Sequence, residues 1–229
     1  MAKEAAPTSP KLRFRARASF VRLDKPKPFE EGADPRWETT FLLDPADKAH
    51  STANPALKLV GIKEILQEAA NLSKQAYGVV PLKLRILAAQ LGYGKTPDVA
   101  NEKDDEIEIA FYKGDKKEYD GFAGMFVIPA HNKIKPAVAN RKGAPVEPGE
   151  HQFPYGGAQV IGSITLWAQV GQTQKKYGKR IGVNLRGVQF YADDKAFGAG
   201  EIAAEDEFDA MEDDDATAAA TAGGDSDFD

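Results

Sequence analysis

The sequence feature that most constrains the fold is residues 155–191, which read as one long β-hairpin. Over residues 158–170 the even positions are apolar and the odd positions are mostly polar, and a period of two is typical of a strand with one buried face. The returning limb alternates in the same way through Ile181, Val183 and Leu185. Its phase then slips at Gly187, which predicts a β-bulge at that point.

Trp167 breaks the pattern of the hairpin because it lies among the polar positions of the first limb. If the strand register brings the two polar faces together, Trp167 shares its face with Arg180, Asn184 and Arg186 of the second limb. An aromatic ring on a basic face can stack on an unpaired base. The same ring can instead pack beneath a loop or a helix, and both interpretations are open at this point.

The segment between the two limbs, residues 172–179, is too polar to belong to a protein core. We interpret it as an exposed cationic tip, formed by Lys175, Lys176, Tyr177 and Lys179.

The charges of the chain are divided unevenly along its length. All 30 lysines and arginines lie at or before Lys195, and 12 of the 35 acidic residues lie after Gly200. Residues 1–200 therefore carry a formal charge of +7, from 30 basic and 23 acidic side chains, and residues 201–229 carry −12. A basic body with an acidic appendage indicates a protein that binds a polyanion.

Composition excludes several classes of protein. The chain contains no cysteine, so it has neither disulfides nor thiolate chemistry, and a reducing compartment fits. The first ten residues lack the apolar region of a signal peptide, and no stretch approaches the roughly 20 apolar residues of a membrane helix. We therefore expect a soluble protein that is not exported.

A second alternating segment, residues 12–23, predicts a strand with Arg13, Arg15 and Arg17 in a row on its open face and Phe14, Ala16, Ala18 and Phe20 on the other. Like charges spaced two residues apart repel, so this row requires a compensating partner. It is either a charged strand edge that resists aggregation or a binding face for an anionic ligand.

The remaining segments predict one long helix and further strands. Asn54 and Pro55 suit the start of a helix, Gly78 suits its end, and the apolar residues between them recur at intervals of three and four. Residues 81–91 either extend this helical region or form a buried segment. The other predicted strands cover residues 37–43, 107–112 and 121–129, with a short extended piece at 137–139.

Strands at both ends of the body with a helix between them favour a small barrel over a parallel βαβ sheet. We predict a mainly β, OB-fold-like barrel over residues 12–200 with a helical insertion near 54–91. Residues 1–11 are predicted to be a disordered leader. Residues 201–229 are predicted to be a disordered acidic tail, because they hold too few large apolar residues to offset the entropy of ordering.

Signals of catalysis are few. The three histidines lack the spacing of a metal site, and neither a Gly-x-Ser-x-Gly motif nor a Walker lysine motif is present. We expect a binding protein without enzyme activity, metal or cofactor. The alternative is a metal-dependent nuclease, whose candidate ligands are Asp104, Asp105, Glu106 and Glu108, although a solvated acidic loop also explains these residues.

Basic residues interleaved with aromatic ones indicate nucleic acid, and stacking on exposed bases favours single strands. The stacking candidates are Trp167, Tyr177, Tyr155 and Phe153. The phosphate-binding candidates are Arg13, Arg15, Arg17, Lys133, Lys135, Arg141, Lys142, Lys175, Lys176, Lys179, Arg180 and Arg186.

The acidic tail allows two interpretations besides an inert solubility segment. Its charge can compete with nucleic-acid phosphates for the protein's own binding face. Its end also presents an aromatic ring among carboxylates, which can dock in a basic-rimmed hydrophobic pocket of a partner. The partner-binding candidates are Asp225, Asp227, Phe228 and Asp229. A virion or assembly protein with an acidic interaction tail is a further alternative.

Several short motifs follow one another in a defined order. They are Phe126-Val127-Ile128, Asn132-Lys133, Lys135-Pro136, Tyr155-Gly156-Gly157, the strand through residues 164–168, Gly182-Val183 with Leu185, Val188-Gln189, and Gly198. In this order and spacing the chain resembles the OB-fold single-stranded DNA-binding proteins of tailed bacteriophages, over roughly residues 13–200 plus the tail.

The resemblance implies sequence-independent coating of single-stranded DNA during phage replication, recombination or repair, in the cytoplasm of an infected bacterial host. It also implies that the tail moderates binding and recruits phage or host replication proteins. In this chain Phe228 is followed by Asp229, which does not fit recognition of a terminal Phe carboxylate. The oligomeric state, a homodimer included, stays open.

Overall fold

A computed structural model describes residues 6–28, 30–101 and 105–197. Within them the chain forms eight strands, four α-helices and short 3-10 turns at Pro55–Leu57 and Gly114–Lys116. The strands are β1 (Leu12–Lys27), β2 (Arg36–Leu43), β3 (Ile107–Ile109), β4 (Tyr112–Lys113), β5 (Phe126–Asn132), β6 (Ala137–Ala139), β7 (Gln159–Ala168) and β8 (Lys179–Ala192). The helices are α1 (Lys48–Ser51), α2 (Ile62–Tyr77), α3 (Leu82–Gln90) and α4 (Gly171–Tyr177).

Five of the strands form a closed barrel. β1 pairs antiparallel with β2 and with β7, β2 pairs with β5, and β7 pairs with β8. A parallel bridge between His131 of β5 and Asn184 of β8 closes the ring. A five-stranded barrel of this kind is the architecture of the OB-fold. The predicted mainly β fold with a helical insertion is confirmed.

The predicted hairpin is formed by β7 and β8. Ser163 lies opposite Gly187, whereas Ile164 lies opposite Leu185, so Arg186 is an extra residue on β8. This is the predicted β-bulge, one residue wide. The tip folds as helix α4, which is exposed along almost its whole length.

The barrel interior follows the alternation of the strands. The even residues of β7 and the even residues 12–18 of β1 are buried, and the odd ones face outward. Phe14 and Phe41 meet edge to face inside the barrel, with ring centroids 5.2 Å apart. The buried face of α2 belongs to the same core. Helix packing and strand packing therefore stabilise one continuous apolar interior.

Phe20 departs from this alternation. It occupies an even position of β1, where the sequence predicts an inward side chain, but it is 45% exposed. Its φ is +47°, and the pairing of β1 with β2 shifts register between Ser19 and Arg22. The irregular backbone reverses the direction of the side chain, which simple alternation does not predict.

The predicted helix over residues 54–78 begins later than expected. Asn54 caps the 3-10 turn, which ends at Lys58 with φ +55°. The chain then continues to Gly61, whose amide N–H donates to the Glu64 carboxylate, and α2 begins at Ile62. The N-cap signal at Asn54 therefore belongs to the 3-10 turn and not to α2. Residues 81–91, left undecided by the pattern, contain helix α3.

The predicted strand over residues 121–129 also begins later, at Phe126. Gly121 and Gly124 both have positive φ angles, +75° and +76°, so the chain turns there instead of extending. Phe122, in this turn, is fully buried against Leu42 and Val127 on the outer surface of the barrel. The predicted strand over residues 107–112 is divided into β3 and β4.

Part of the segment predicted as a leader pairs with the end of β7. The Ala168 N–H donates to the Pro7 carbonyl at 3.0 Å, and the Ser9 N–H donates to the Leu166 carbonyl at 2.9 Å. These bonds pair backbone groups of β7 in the part of that strand that extends past the start of β1. Residues 1–5 and the predicted acidic tail lie outside the described residues. Among the helices that are described, none has the length and apolarity needed to span a membrane.

Candidate nucleic-acid interface

The outer surface of β1, β7 and β8 carries a basic groove. β1 places Arg13 opposite Ser163 of β7, and Ser163 lies opposite Gly187 of β8. Strand β6 pairs with β8 along the other side, where Ala137 lies opposite Gly187. The groove has a volume of about 350 Å³ and is lined by Lys11, Arg13, Ala137, Ala139, Ile161, Ser163, Arg186, Gly187, Val188 and Gln189.

Three cations of this basic groove, Lys11, Arg13 and Arg186, form no ion pair with any carboxylate in the part of the chain that the structure describes. The bulge leaves Arg186 exposed at the rim, while Gly187 keeps the floor free of a side chain. Three cations around an apolar and hydroxyl floor give this surface a positive charge of the kind that attracts phosphate groups.

One end of the basic groove leads to Tyr191, which the sequence patterns did not single out. The guanidinium carbon of Arg15 lies 4.1 Å from the centroid of the Tyr191 ring, and that of Arg141 lies 5.6 Å away. The two candidate arginines therefore meet on one aromatic ring. The Nε of Arg15 is buried without a hydrogen-bond partner among the described residues. A cavity of about 360 Å³ adjoins Arg15, Tyr191 and Lys48.

The other end of the hairpin face carries Trp167. It lies opposite Gly182, whose missing side chain leaves room for the indole ring across β8. The ring is half-buried on the outer face of the barrel, and its Nε1 is buried without a hydrogen-bond partner among the described residues. Arg180 and Asn184 lie on the same face of the hairpin as Trp167. The strand register therefore brings the polar faces of the two limbs together, as the sequence analysis required for a basic face around this ring.

The hairpin tip presents the remaining hairpin candidates to solvent. Tyr177 is 66% exposed, with the Lys176 ammonium 4.9 Å from its ring centroid. Lys175 lies on the same short helix, and Lys179 begins β8, 6.0 Å from the Tyr77 ring. The Tyr77 hydroxyl donates to the Gln169 carbonyl at 2.8 Å, which fixes the base of the tip to α2.

Arg17 lies in the same row as Arg13 but has a different environment. Its Nε donates to the Gly157 carbonyl at 3.1 Å, and its Nη2 donates to the Lys195 carbonyl at 2.7 Å. The Asp194 carboxylate lies 3.3 Å from Nε, and the Phe197 ring centroid lies 4.3 Å from the guanidinium carbon. Arg17 therefore anchors residues 194–197 to the barrel.

Asp194 connects Arg17 to a buried histidine. The Gln159 amide donates to the Asp194 carboxylate at 2.7 Å, and the Gln159 oxygen lies 3.3 Å from His50 Nε2. The Asp44 N–H donates to His50 Nδ1, so the neutral ring carries its proton on Nε2. Burial lowers the pKa of His50 below its usual value of 6.5, in part offset by the Asp47 charge. This network stabilises the barrel at the end distant from the basic groove.

Tyr155 and Phe153 contribute to packing. Both rings are half-buried against the main core. The Tyr155 hydroxyl donates to the Asp193 carboxylate at 3.1 Å and lies 3.0 Å from the Asp194 carbonyl. Burial raises the pKa of Tyr155. Neither ring lines the basic groove.

The other basic candidates lie apart from the basic groove. Lys133 pairs with Asp34, and the Lys135 ammonium lies 3.6 Å from the Glu147 carboxylate and 5.8 Å from the centroid of the Trp37 ring. Lys142 is exposed in the turn after β6. Of this group, Arg141 alone meets the hairpin face, through Tyr191.

Asp105 and Glu108, two of the acidic residues considered as metal ligands, have structural partners. The Asp105 carboxylate accepts hydrogen bonds from the Leu82 N–H at 2.7 Å and the Ile107 N–H at 3.1 Å, which fixes the start of α3 beside β3. Glu108 pairs with Lys83, and Asp104 lies outside the described residues. The described residues contain no group of three side chains placed to ligate a metal ion.

Comparison with known proteins identifies the family. The family described as "Enterobacter phage Enc34, ssDNA-binding protein" matches residues 12–218. The chain belongs to this family. Its members are phage proteins that bind single-stranded DNA, so the predicted resemblance is confirmed, and the prediction of a binding protein instead of a nuclease is confirmed by the family.

Individual relatives agree with this assignment. A putative protein p50 of Acyrthosiphon pisum secondary endosymbiont phage 1 is 38% identical over 96 residues, which are 42% of this chain and 49% of that protein. The chain thus matches about half the length of this relative. The solved complex of the bacteriophage Enc34 single-stranded DNA-binding protein with ssDNA is 25% identical, with a TM-score of 0.57 over 82% of this chain and 89% of that chain. A second solved structure of the bacteriophage Enc34 single-stranded DNA-binding protein has a TM-score of 0.54, at 24% identity over 84% of this chain and 86% of that chain, and supports the fold.

Proposed function

We propose that this chain coats single-stranded DNA without sequence preference, along the outer face of β1, β7 and β8. The observation that carries the proposal is the basic groove, in which Lys11, Arg13 and Arg186 are without carboxylate partners among the described residues. Aromatic rings flank it at both ends, Trp167 on one side and Tyr191 on the other. Membership in the phage ssDNA-binding family supports this assignment.

The arrangement of charge and aromatic rings favours a single strand over a duplex. Lysines and arginines neutralise phosphates of any sequence, whereas rings stack only on bases that are not already paired. The basic tip, with Lys175, Lys176 and Tyr177, extends the same face beyond Trp167. A site of roughly 4 to 16 nucleotides is expected for a domain of this type.

Titration with oligo-dT at two salt concentrations tests the proposal. The emission of Trp167 is expected to be quenched, and the logarithm of affinity is expected to fall with the logarithm of salt by about 0.7 per phosphate contact. A Trp37→Phe variant isolates the signal of Trp167, since these are the two tryptophans of the chain. Absence of both binding and a salt slope would contradict the proposal, and duplex DNA serves as the comparison ligand.

We assign the acidic tail a regulatory role in the same function. With a formal charge of −12 against +7 for residues 1–200, it competes with DNA for the basic face. Asp225, Asp227, Phe228 and Asp229 recruit replication proteins of the phage or host. Truncation after Gly200 is expected to strengthen oligo-dT binding at low salt and weaken partner recruitment. Unchanged affinity at low salt would exclude self-competition.

The proposed setting is phage DNA replication, recombination or repair in the cytoplasm of the bacterial host. The alternative of a virion or assembly protein predicts little affinity for DNA even after truncation of the tail. The truncated protein therefore separates the two functions in one titration. Light scattering of the same samples determines whether the protein acts as a homodimer.

A further inference from the structure

We infer that the cavity beside Arg15 receives one unpaired base of single-stranded DNA, turned out of the strand that follows the basic groove. The inference rests on the proposed function and deepens it, because it gives one nucleotide of the bound strand a defined pocket. The base lies between Arg15 and Leu57, and the adjoining phosphate contacts Lys48.

The cavity continues the basic groove along the outer face of the barrel. Arg15 of β1 lies opposite Ile161 of β7, and Ile161 lies opposite Gln189 of β8. Ile161 and Gln189 line the basic groove, whereas Arg15 and Tyr191 line the cavity. A strand of DNA that passes Arg13 therefore reaches the cavity at the next outward-facing residue of β1.

A short closed loop supplies an apolar wall of the cavity. Asn54 and Leu59 exchange two backbone hydrogen bonds, of 2.8 and 2.9 Å. The Val60 N–H donates to the Arg13 carbonyl at 2.8 Å, which holds this loop beside the arginine row. Leu57 lies within the loop, is 50% exposed and lines the cavity. A large apolar side chain is thus fixed at the surface with half of its area open to a ligand.

The cations of the cavity lack carboxylate partners. Arg15 and Lys48 line it, and neither forms an ion pair with an acidic side chain in the described part of the chain. The Arg15 guanidinium carbon lies instead 4.1 Å from the centroid of the Tyr191 ring. A guanidinium plane held on an aromatic ring can stack a base, and an exposed ammonium can neutralise a neighbouring phosphate.

The acidic side chains closest in sequence to these cations are engaged elsewhere. The Asp47 carboxylate accepts the first free N–H of α1 at 2.8 Å. The Asp193 carboxylate accepts the Tyr155 hydroxyl at 3.1 Å, and Asp194 pairs with Arg17. None of these three acids lines the cavity. The lining is therefore positively charged and favours an anionic ligand.

Size and chemistry select a nucleotide as this ligand. The cavity volume of about 360 Å³ lies near the lower limit of small-molecule sites, which is roughly 300 Å³. Leu57 suits the apolar face of a base, and the exposed Thr52 hydroxyl and Asn54 amide, which also line the cavity, suit its polar edge. An acidic peptide is the competing occupant, and it would leave DNA binding independent of Leu57.

The test compares Leu57→Ser and Lys48→Gln in the full chain. Both side chains are exposed, so both variants are expected to fold. Lys58→Gln is the matched charge control, because Lys58 is exposed in the same loop but does not line the cavity. Val99→Ser is the control for loss of an exposed apolar side chain. Each protein is titrated with oligo-dT of about 30 nucleotides, longer than the expected site, and with an abasic strand of the same length, which keeps the phosphates and lacks the bases.

Leu57→Ser is expected to weaken oligo-dT binding about threefold to tenfold, because burial of its half-exposed side chain against a base is lost. It is expected to leave binding of the abasic strand unchanged. Lys48→Gln is expected to weaken binding of both strands and to lower the slope of log affinity against log salt by about 0.7. Lys58→Gln and Val99→Ser are expected to keep the parental slope and to change affinity less than about twofold.

Parental oligo-dT affinity in Leu57→Ser, or an equal loss of affinity for both strands, would overturn the inference. Equal effects of Lys48→Gln and Lys58→Gln would overturn it as well. Failure of the proposed function is distinguished by the parent protein itself, which would then bind neither strand.

Discussion

Arg13 and Arg17 occupy equivalent positions on one strand, yet their surroundings differ completely. Arg13 lines an open groove with Lys11 and Arg186, without a carboxylate partner among the described residues. Arg17 is only about 24% exposed and binds two carbonyl oxygens, a carboxylate and an aromatic ring. The difference arises from residues far along the chain, since Asp194 closes over one end of the row and the bulge at Arg186 opens the other.

Arginines in one row of like charges can therefore differ in role, one facing an open groove and another holding a distant segment of the chain. Repulsion within the row is relieved at the Arg17 end by Asp194 and at Arg15 by the Tyr191 ring. The Arg13 end has no such partner among the described residues, which leaves its charge available to an anionic ligand. We therefore expect Arg13 to contribute to binding and Arg17 to stability.

Charge reversal in the basic groove is expected to have the largest effect. Arg13→Glu with Arg186→Glu should lower oligo-dT affinity on the order of 100-fold at low salt, since two phosphate contacts become repulsive. The unfolding midpoint should change little because neither side chain has a charged partner in the described structure. Fluorescence titration and thermal unfolding of the same samples measure both. A groove that is not used would leave the affinity unchanged.

Removal of the Trp167 ring is expected to rank second. Trp167→Ala should weaken oligo-dT binding about tenfold, through the loss of one stacked base. Trp37→Phe is the control, because Trp37 lies on β2 away from the hairpin face. Anisotropy of a labelled oligonucleotide replaces tryptophan emission as the readout. Equal affinities for the two variants would exclude Trp167 as a stacking residue.

Arg17→Met should affect stability more than binding. Loss of its hydrogen bonds and ion pair should lower the free energy of unfolding by about 1 to 2 kcal/mol and the thermal midpoint by about 2 to 8 °C. Oligo-dT affinity should change less than about twofold if Arg17 makes no phosphate contact. A large fall in affinity without a fall in the midpoint would place DNA at both ends of the row.

His131 gives the smallest expected effect, through pH. Burial and the charges of Arg36 and Arg180 lower the pKa of His131 to about 4, so the folded protein holds it neutral while the unfolded chain binds a proton below pH 6.5. The resulting stability is complete above pH 6.5 and is lost as pH falls from 6.5 to about 4. His131→Asn should flatten this part of the curve of thermal midpoint against pH. An unchanged curve would show that His131 titrates normally.

The part of this architecture set by local alternation was predictable. The hairpin, its bulge and its polar face follow from a period of two and one glycine, and the register then places Arg13 beside β7. Partners distant in sequence were not predictable, because Asp194 reaches Arg17 only after the barrel closes. The sequence did not indicate a role for Tyr191, because its ring contacts Arg15 and Arg141, which lie on another strand and in a loop. Phe20 was assigned to the core because alternation does not reveal a positive φ.

The salt dependence of oligo-dT binding tests the central claim most directly. Three proteins are compared: the parent, the pair Arg13→Gln with Arg186→Gln, and Arg17→Gln. The groove variant is expected to lose about 1.4 from the slope of log affinity against log salt, at about 0.7 per phosphate contact, whereas Arg17→Gln should keep the parental slope. A parental slope in the groove variant, or a loss confined to Arg17→Gln, would contradict the placement of DNA along the basic groove.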